Sequence, residues 1–388
     1  MNNCKLSDAY RSREHAYIKH LVLKQYLEKL FMIVGQHQNE LIYVDCFAGP
    51  WLADKDGSLE DTSIYIALEA MQSCKKHLDK IRSYPVTCRA LFIEKDPAAF
   101  NQLQAFLDDS TPKGIESACL KGDFIQLRQD ILQWCGKKGF AFFFIDPKGW
   151  KEIKPSILKP LLKRPNSEFL INFMYEFLNR FISLDALKDD VVDFFSGIPN
   201  VDDLSTPDRE NQLVGLFRQR LKQVASRKNI HIWCSDIQIL DPVNERTKYY
   251  LIYLSFHPKG IIVFSEIAEK CEKFQHRIRL QTKIRRKTEQ TGQMDLFQDS
   301  VPDGYDNQIR LEILQNHWMQ LIDEKPRSFN NQDLALFIED FGVYPSQIQK
   351  ALGALIKEGF VENMDDKTGK RRTRFIYFDK EERLRRIK

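Results

Sequence analysis

The chain has 388 residues, 43% of them hydrophobic and including 27 Phe and 13 Tyr, which suits two or three packed domains and excludes a globally disordered protein. With 58 Lys and Arg against 54 Asp and Glu, the net charge of +4 is too mild to mark a nucleic-acid binder by itself. No apolar run approaches the roughly 18 residues of a membrane span, and the polar start MNNCKLSDAYRSREH is unlike a secretory signal, so no membrane contact and a cytoplasmic location are expected.

The stretch HAYIKHLVLKQYLEKLFMIVG repeats Leu23, Leu27, Leu30, Phe31 and Val34 at helical spacing, with Gly35 placed to end the helix. The apolar strand LIYVDCF (41–47) then runs into Ala48, Gly49 and Pro50, a turn small enough for backbone to approach a ligand, followed by Trp51. RALFIEKDP reads as a second strand, leading to a helix from Pro97 with Phe100, Leu103 and Phe106. KGFAFFFIDPKGW (138–150) is a third strand, apolar up to Asp146, and EFLINFMYEF (168–177) a fourth. Strands that are apolar throughout are buried on both faces, so the pattern predicts an open α/β sheet, largely parallel and covered by helices. YYLIYLSFHPKGIIVF (249–264) has two apolar runs around His257, Pro258, Lys259 and Gly260, which predicts an antiparallel pair at one edge of that sheet.

Periodicity is lost over 283–305, which divides the chain into an α/β domain (1–282), a linker (283–305) and a C-terminal domain (306–388). In the last part Ile309, Ile313 and Leu321 fit one helix, and Leu334, Phe337 and Ile338 a second. A third starts at Pro345, carries Ile348, Leu352, Leu355 and Ile356, and ends before Gly359. FVEN and RRTRFIYF read as two strands joined by MDDKTGK, and the whole predicts a winged helix-turn-helix.

Four acids fall at the C-terminal ends of predicted strands or just beyond: Asp45, Glu94, Asp123 and Asp146. That edge of an open sheet is where ligands bind, and a carboxylate after the second strand suits ribose hydroxyls. The chain has neither a G-x-x-x-x-G-K-[ST] nor a G-x-G-x-x-G after the first strand, and Glu94 lies 49 residues beyond Asp45 instead of about 20, which argues against P-loop and dinucleotide enzymes. S-adenosylmethionine (SAM) has no pyrophosphate to cradle, and one close backbone approach at Ala48 and Gly49 suffices for it. Asp45, Glu94 and Asp146 around Mg²⁺ would make a nuclease instead. The eight cysteines, at 4, 46, 74, 88, 119, 135, 234 and 271, include no C-x-x-C, and the histidines no H-E-x-x-H, so core thiols and no resident metal are expected.

Positive charge is clustered. Residues 270–288 carry eight Lys or Arg against one Glu, Arg285 and Arg286 among them, and KTGKRRTR (367–374) adds Lys367, Lys370, Arg371, Arg372 and Arg374. These suit phosphate contacts, while the third C-terminal helix offers only Gln347, Gln349 and Lys350 for base contacts.

In this order, YVDCFAGPW, FIEKDP, KGDF, FFFIDPKGW and FLINF, with YIKHLVLKQYL before them and YYLIYLSFHPKG after, resemble the three-Cys-motif partner proteins over residues 12–270. That prokaryotic family is similar to class I SAM-dependent methyltransferases and is encoded beside a three-cysteine, radical-SAM-like protein. The resemblance implies a Rossmann-like class I methyltransferase-type sheet. It implies that Asp45, Ala48 and Gly49 line the methionine side of SAM, that Glu94 binds the ribose, and that Asp123 approaches the adenine. It also implies that Asp146, Pro147 and Trp150 stand where amino-methyltransferases orient a target amine and stack on its base. This chain departs from the pattern with Lys148 and Gly149 inside DPKGW, and with Trp51 where the family has glycine. Gln293-Met294-Asp295-Leu296-Phe297 further resembles the bacterial sliding-clamp-binding pentapeptide. Two readings follow: a SAM-dependent methyltransferase-like protein acting on or with nucleic acid in a mobile or defence-associated system, or a non-catalytic nucleic-acid-binding scaffold that has lost the cofactor. The altered DPKGW and Trp51 favour the second, and the four acids together favour the first.

Overall fold

The computed structural model describes residues 10, 13–49, 62–182, 187–291, 305–369 and 371–388; Trp51, Lys370 and residues 293–297 lie outside them. Helix α1 (Glu14–Gly35) buries Ile18, Val22, Leu23, Tyr26, Leu27, Leu30 and Phe31, a stripe set by their spacing of three and four. Arg82 Nη1 closes its C-terminal end by donating to the carbonyls of Gly35 and Gln38, both at 2.7 Å.

Five parallel strands follow, alternating with helices: β1 (Glu40–Asp45), α2 (Ser63–Ile81), β2 (Thr87–Glu94), α3 (Pro97–Ser110), β3 (Ile115–Lys121), α4 (Phe124–Cys135), β4 (Phe140–Ile145), α5 (Pro155–Leu162) and β5 (Ser167–Phe173). Helices α6 (Tyr175–Phe181), α7 (Lys188–Phe195) and α8 (Thr206–Ala225) lead to β6 (Trp233–Leu240) and β7 (Thr247–Ser255). The seven strands stand in the order β3-β2-β1-β4-β5-β7-β6, and β7 runs antiparallel to both neighbours. Alternate residues face opposite layers, as the two-residue period requires. Tyr43 and Phe142 stack with each other, and Phe142 also meets Tyr26 of α1. On the other face, Phe173 packs on Phe217 at 4.7 Å and Phe194 on Phe217 at 4.6 Å.

The chain reverses direction across the sheet between β1 and β4. β1 leads outward to β2 and β3, and the chain then returns to place β4 on the other side of β1. In an open α/β sheet the crevice beyond the carboxyl ends at such a switch point is the ligand site. Asp45 and Asp146 stand at those two ends.

The expected hairpin over 249–264 is corrected. The antiparallel pair exists, but β7 pairs with β6, and Pro258 starts the long helix α9 (Pro258–Thr291). Proline is well placed in the first turn of a helix, where its missing N–H costs nothing. The second apolar run therefore buries Ile261, Ile262 and Phe264 from a helix. Strand β6 escapes a sequence reading because Ser235, Asp236 and Gln238 dilute its apolar residues. α9 crosses 282 and 283 without a break, so residues 283–291 of the expected linker are helical.

The chain divides into two compact units, residues 1–256 with 270–283, and 257–269 with 284–388. The second contains α10 (Tyr305–Leu321), β8 (Arg327–Ser328), α11 (Asn331–Phe341), α12 (Pro345–Lys357), β9 (Val361–Asn363) and β10 (Arg383–Arg386), the strands forming an antiparallel sheet in the order β8-β10-β9. Asn330 and Asp333 cap α11 reciprocally, and Gly342 ends it at φ 59°. Trp318 is fully buried against Phe329, Phe337 and Phe378. The expected second strand at 371–378 is displaced: β9 pairs with β10, at Arg383–Arg386. Residues 375 and 376 are instead held on α12 by Gln349, whose Oε1 accepts from Phe375 N at 2.7 Å and whose Nε2 donates to Ile376 O at 2.9 Å.

Candidate functional site

At the end of β1 the Asp45 carboxylate is wholly buried. Its Oδ1 accepts from Phe47 N at 3.1 Å, and its Oδ2 from Ser63 Oγ at 2.6 Å and Tyr43 OH at 3.3 Å. Burial, helped by the nearby Asp146, pushes its pKa up to about 6 against the pull of these donors. Backbone bonds then carry the chain across the sheet edge: Cys46 N donates to Phe144 O and Ala48 N to Ile93 O, each at 2.9 Å.

Gly49 lies directly against Glu94, at the end of β2. A methyl group at Gly49 would overlap Glu94 Oε2, so only glycine lets this backbone and this carboxylate come together without a shift. Glu94 Oε1 is fixed by accepting from Asp96 N at 2.7 Å. Asp123 stands at the N-cap of α4, where its Oδ1 accepts from Ile125 N at 2.8 Å. Asp45, Ala48, Gly49 and Glu94 thus meet across the ends of β1 and β2, with Asp123 beyond β3.

Asp146 follows β4 and is held on both oxygens. Asn172 Nδ2 of β5 donates to Oδ1 at 2.6 Å, and Lys19 of α1 pairs with Oδ2. Pro147 is buried beside it. Trp150 corrects the expectation of a base-stacking ring: it is 4% exposed and packs edge-on to Phe194 at 5.6 Å, committed to the hydrophobic core. Among the described residues no group of three or more His, Cys, Asp and Glu is arranged to hold a metal ion.

Two neighbours of Asp146, Lys19 and Asn172, had no role from the sequence. Lys19 continues the apolar stripe of α1, three and four residues before Val22 and Leu23 and seven before Tyr26; a lysine in line with a buried stripe is the signal to look for. Tyr26 fixes the helix, its hydroxyl bonded to Glu168 Oε2 and to Tyr253 OH, both at 2.6 Å. Asn172 is the one amide in the buried strand SEFLINF and is 2% exposed, and its Oδ1 has no hydrogen-bond partner among the described residues. One turn before Lys19, His15 meets the Tyr249 ring, and burial with the charge of Lys19 lowers its pKa to about 4, so it is neutral near pH 7.

The basic residues divide. Arg371 is no phosphate contact: Nη1 and Nη2 grip the Glu382 carboxylate at 2.6 and 2.8 Å, with the guanidinium over the Tyr377 ring. Gln347 caps α12 by accepting from Tyr344 N, so both glutamines expected to read bases are used inside the fold. Lys367, Arg372 and Arg374 are exposed, whereas Arg285 and Arg286 are half-buried on α9.

No protein-family model matches the chain, and no curated protein matches it. Among solved structures it is similar to a DUF519-family protein from Legionella pneumophila, with 14% identity over 68% of this chain and 92% of that one and a TM-score of 0.38. It is similar to an O-methyltransferase from Bacillus cereus solved with SAH, with 12% identity over 60% and 79% and a TM-score of 0.31. It is also similar to a loganic acid methyltransferase solved with SAH, with 11% identity over 75% and 92% and a TM-score of 0.29. Each is a distant likeness of fold, at which the role of a residue does not transfer.

Proposed function

We propose that the first unit is a class I SAM-dependent methyltransferase-like domain whose cofactor lies across the ends of β1 and β2. The observation that carries this reading is the bare backbone of Gly49 against Glu94, beside the buried carboxylate of Asp45, at the switch point of the sheet. The residues fit such a cofactor: Asp45 would face the methionine ammonium, Ala48 and Gly49 would admit its chain, Glu94 would take the ribose hydroxyls, and Asp123 would lie toward the adenine. Bound there, SAM supplies an activated methyl group, and the protein's task is to position an acceptor near Asp146 and exclude water.

Calorimetric titration with SAM tests this, with micromolar binding as the expected outcome, about 8 kcal/mol. Gly49→Ala is expected to weaken that binding at least about tenfold and to cost about 1–2 kcal/mol of stability, because the Glu94 carboxylate must give up its bond from Asp96 N to clear the new methyl and then leaves the ribose position. A folded protein that binds no SAM at millimolar concentration would instead favour the scaffold reading, which the engagement of both Asp146 oxygens and the burial of Trp150 also support.

For the second unit we infer a winged helix-turn-helix that holds nucleic acid by its backbone. The order helix, strand, helix, helix, strand, strand supports this, as do exposed Lys367, Arg372 and Arg374. With both glutamines of α12 engaged inside the fold, exposed Lys350 is the base contact left of the three expected, so binding would depend little on sequence. Replacing these three by alanine is expected to reduce the slope of log K against log salt by about 3, measured by fluorescence anisotropy on a duplex. A three-cysteine partner protein, and a sliding clamp docked on residues 293–297, belong to the same proposal, tested by co-purification with and without Leu296→Ala and Phe297→Ala.

A further inference from the structure

We propose that Lys19 is itself a methyl acceptor, its side-chain nitrogen occupying the amine position against Asp146. The proposal rests on the cofactor reading above and names an acceptor for that site within the chain. Lys19 brings an amine to the carboxylate beyond the end of β4. Its side chain is only 14% exposed, and the Asp146 carboxylate it meets is oriented from the other side by Asn172 Nδ2 at 2.6 Å. The Tyr249 ring lies 5.7 Å from Nζ, so the nitrogen has an aromatic wall on one flank and a carboxylate on another. The unpartnered and buried Asn172 Oδ1 adds a second oxygen at the same strand ends, suited to an N–H donor. Backbone position holds this arrangement in place. α1 is tied to β5 and β7 through Tyr26, Glu168 and Tyr253, two turns from Lys19, and Tyr249 OH donates to His15 O at 2.8 Å.

The step balances without a further reactant. The Lys19 ammonium gives a proton to Asp146 Oδ2, which passes it to water, and the freed lone pair forms the N–CH₃ bond. The S–CH₃ bond breaks with its electron pair left on sulfur, so the sulfonium becomes a neutral thioether. With its fourth bond formed, the methylated nitrogen is itself the cation and stays beside Asp146, which keeps the pair intact.

The test is peptide mass spectrometry of the full chain after incubation with SAM carrying a deuterated methyl group, alongside calorimetry of SAM binding. One labelled methyl on Lys19 is expected, absent in Lys19→Arg and in Asp45→Ala. A separate measurement needs no SAM. In Lys19→Ala, methylammonium is expected to raise Tm, and in Lys19→Ala combined with Asp146→Asn it is not. SAM bound with no label at Lys19 overturns the acceptor proposal and leaves the cofactor reading standing. No SAM binding overturns both. A methylammonium response that is equal in the two variants overturns the assignment of Asp146 as an amine position.

Discussion

Asp45→Asn is expected to weaken SAM binding about 100-fold, near 3 kcal/mol, because it removes the buried charge that would face the ligand's ammonium. The same carboxylate predicts the pH dependence. Its pKa of about 6 in the folded protein lies above the ordinary 3.8, so below pH 6 the folded state holds the proton and the site is neutral. Affinity for SAM in the wild type should therefore fall about tenfold for each pH unit below 6 and level off above it. Stability has the opposite sign. A group whose folded pKa is raised contributes stability at low pH and loses it as pH rises from about 4 to about 6, here by at most roughly 3 kcal/mol. The difference in unfolding free energy between the wild type and Asp45→Asn should carry that slope. Urea titrations at pH 4.5 and pH 7 measure it, and equal differences at the two pH values would show that Asp45 titrates normally.

Trp150→Ala is expected to cost about 3–5 kcal/mol of stability, the range for truncating a buried aromatic. Its ring packs edge-on to Phe194 of α7 in the core, where truncation leaves a cavity that close-packed neighbours fill only in part. Trp150→Phe keeps most of that volume and should cost well under half as much. A base-stacking ring would behave otherwise, with stability nearly unchanged on truncation and loss confined to acceptor binding. Chemical denaturation of the two variants separates the cases through the midpoint at unchanged slope.

Much of the sheet is legible in the sequence. LIYVDCF, RALFIEKDP, FAFFFID and FLINF are apolar on both faces and bounded by turn residues, which suits a strand covered on both sides. Carboxylates directly after such runs stand at the carboxyl edge, so Asp45, Glu94 and Asp146 could be set there from order alone. The errors share a cause. IIVF after Pro258 and FIYF after Arg374 are apolar runs that suit either a strand or another packed state, and what decides is the surface waiting for them. Gln349 looks like a free base reader in sequence and is a clamp on Phe375 in the fold.

The sequence by itself determined the elements and the edge of the sheet on which its acids lie, because burial periodicity is a property of neighbouring residues. Only the tertiary structure decided partners. That β4 returns beside β1 brings Asp146 next to Asp45, although about a hundred residues separate them. That α1 lies over β5 and β7 sets Lys19 against Asp146, and that β5 lies beside β4 brings Asn172 to the same carboxylate. Such pairings depend on strand order and helix placement, which come from the summed packing of distant segments. A pattern read along the chain has no access to them.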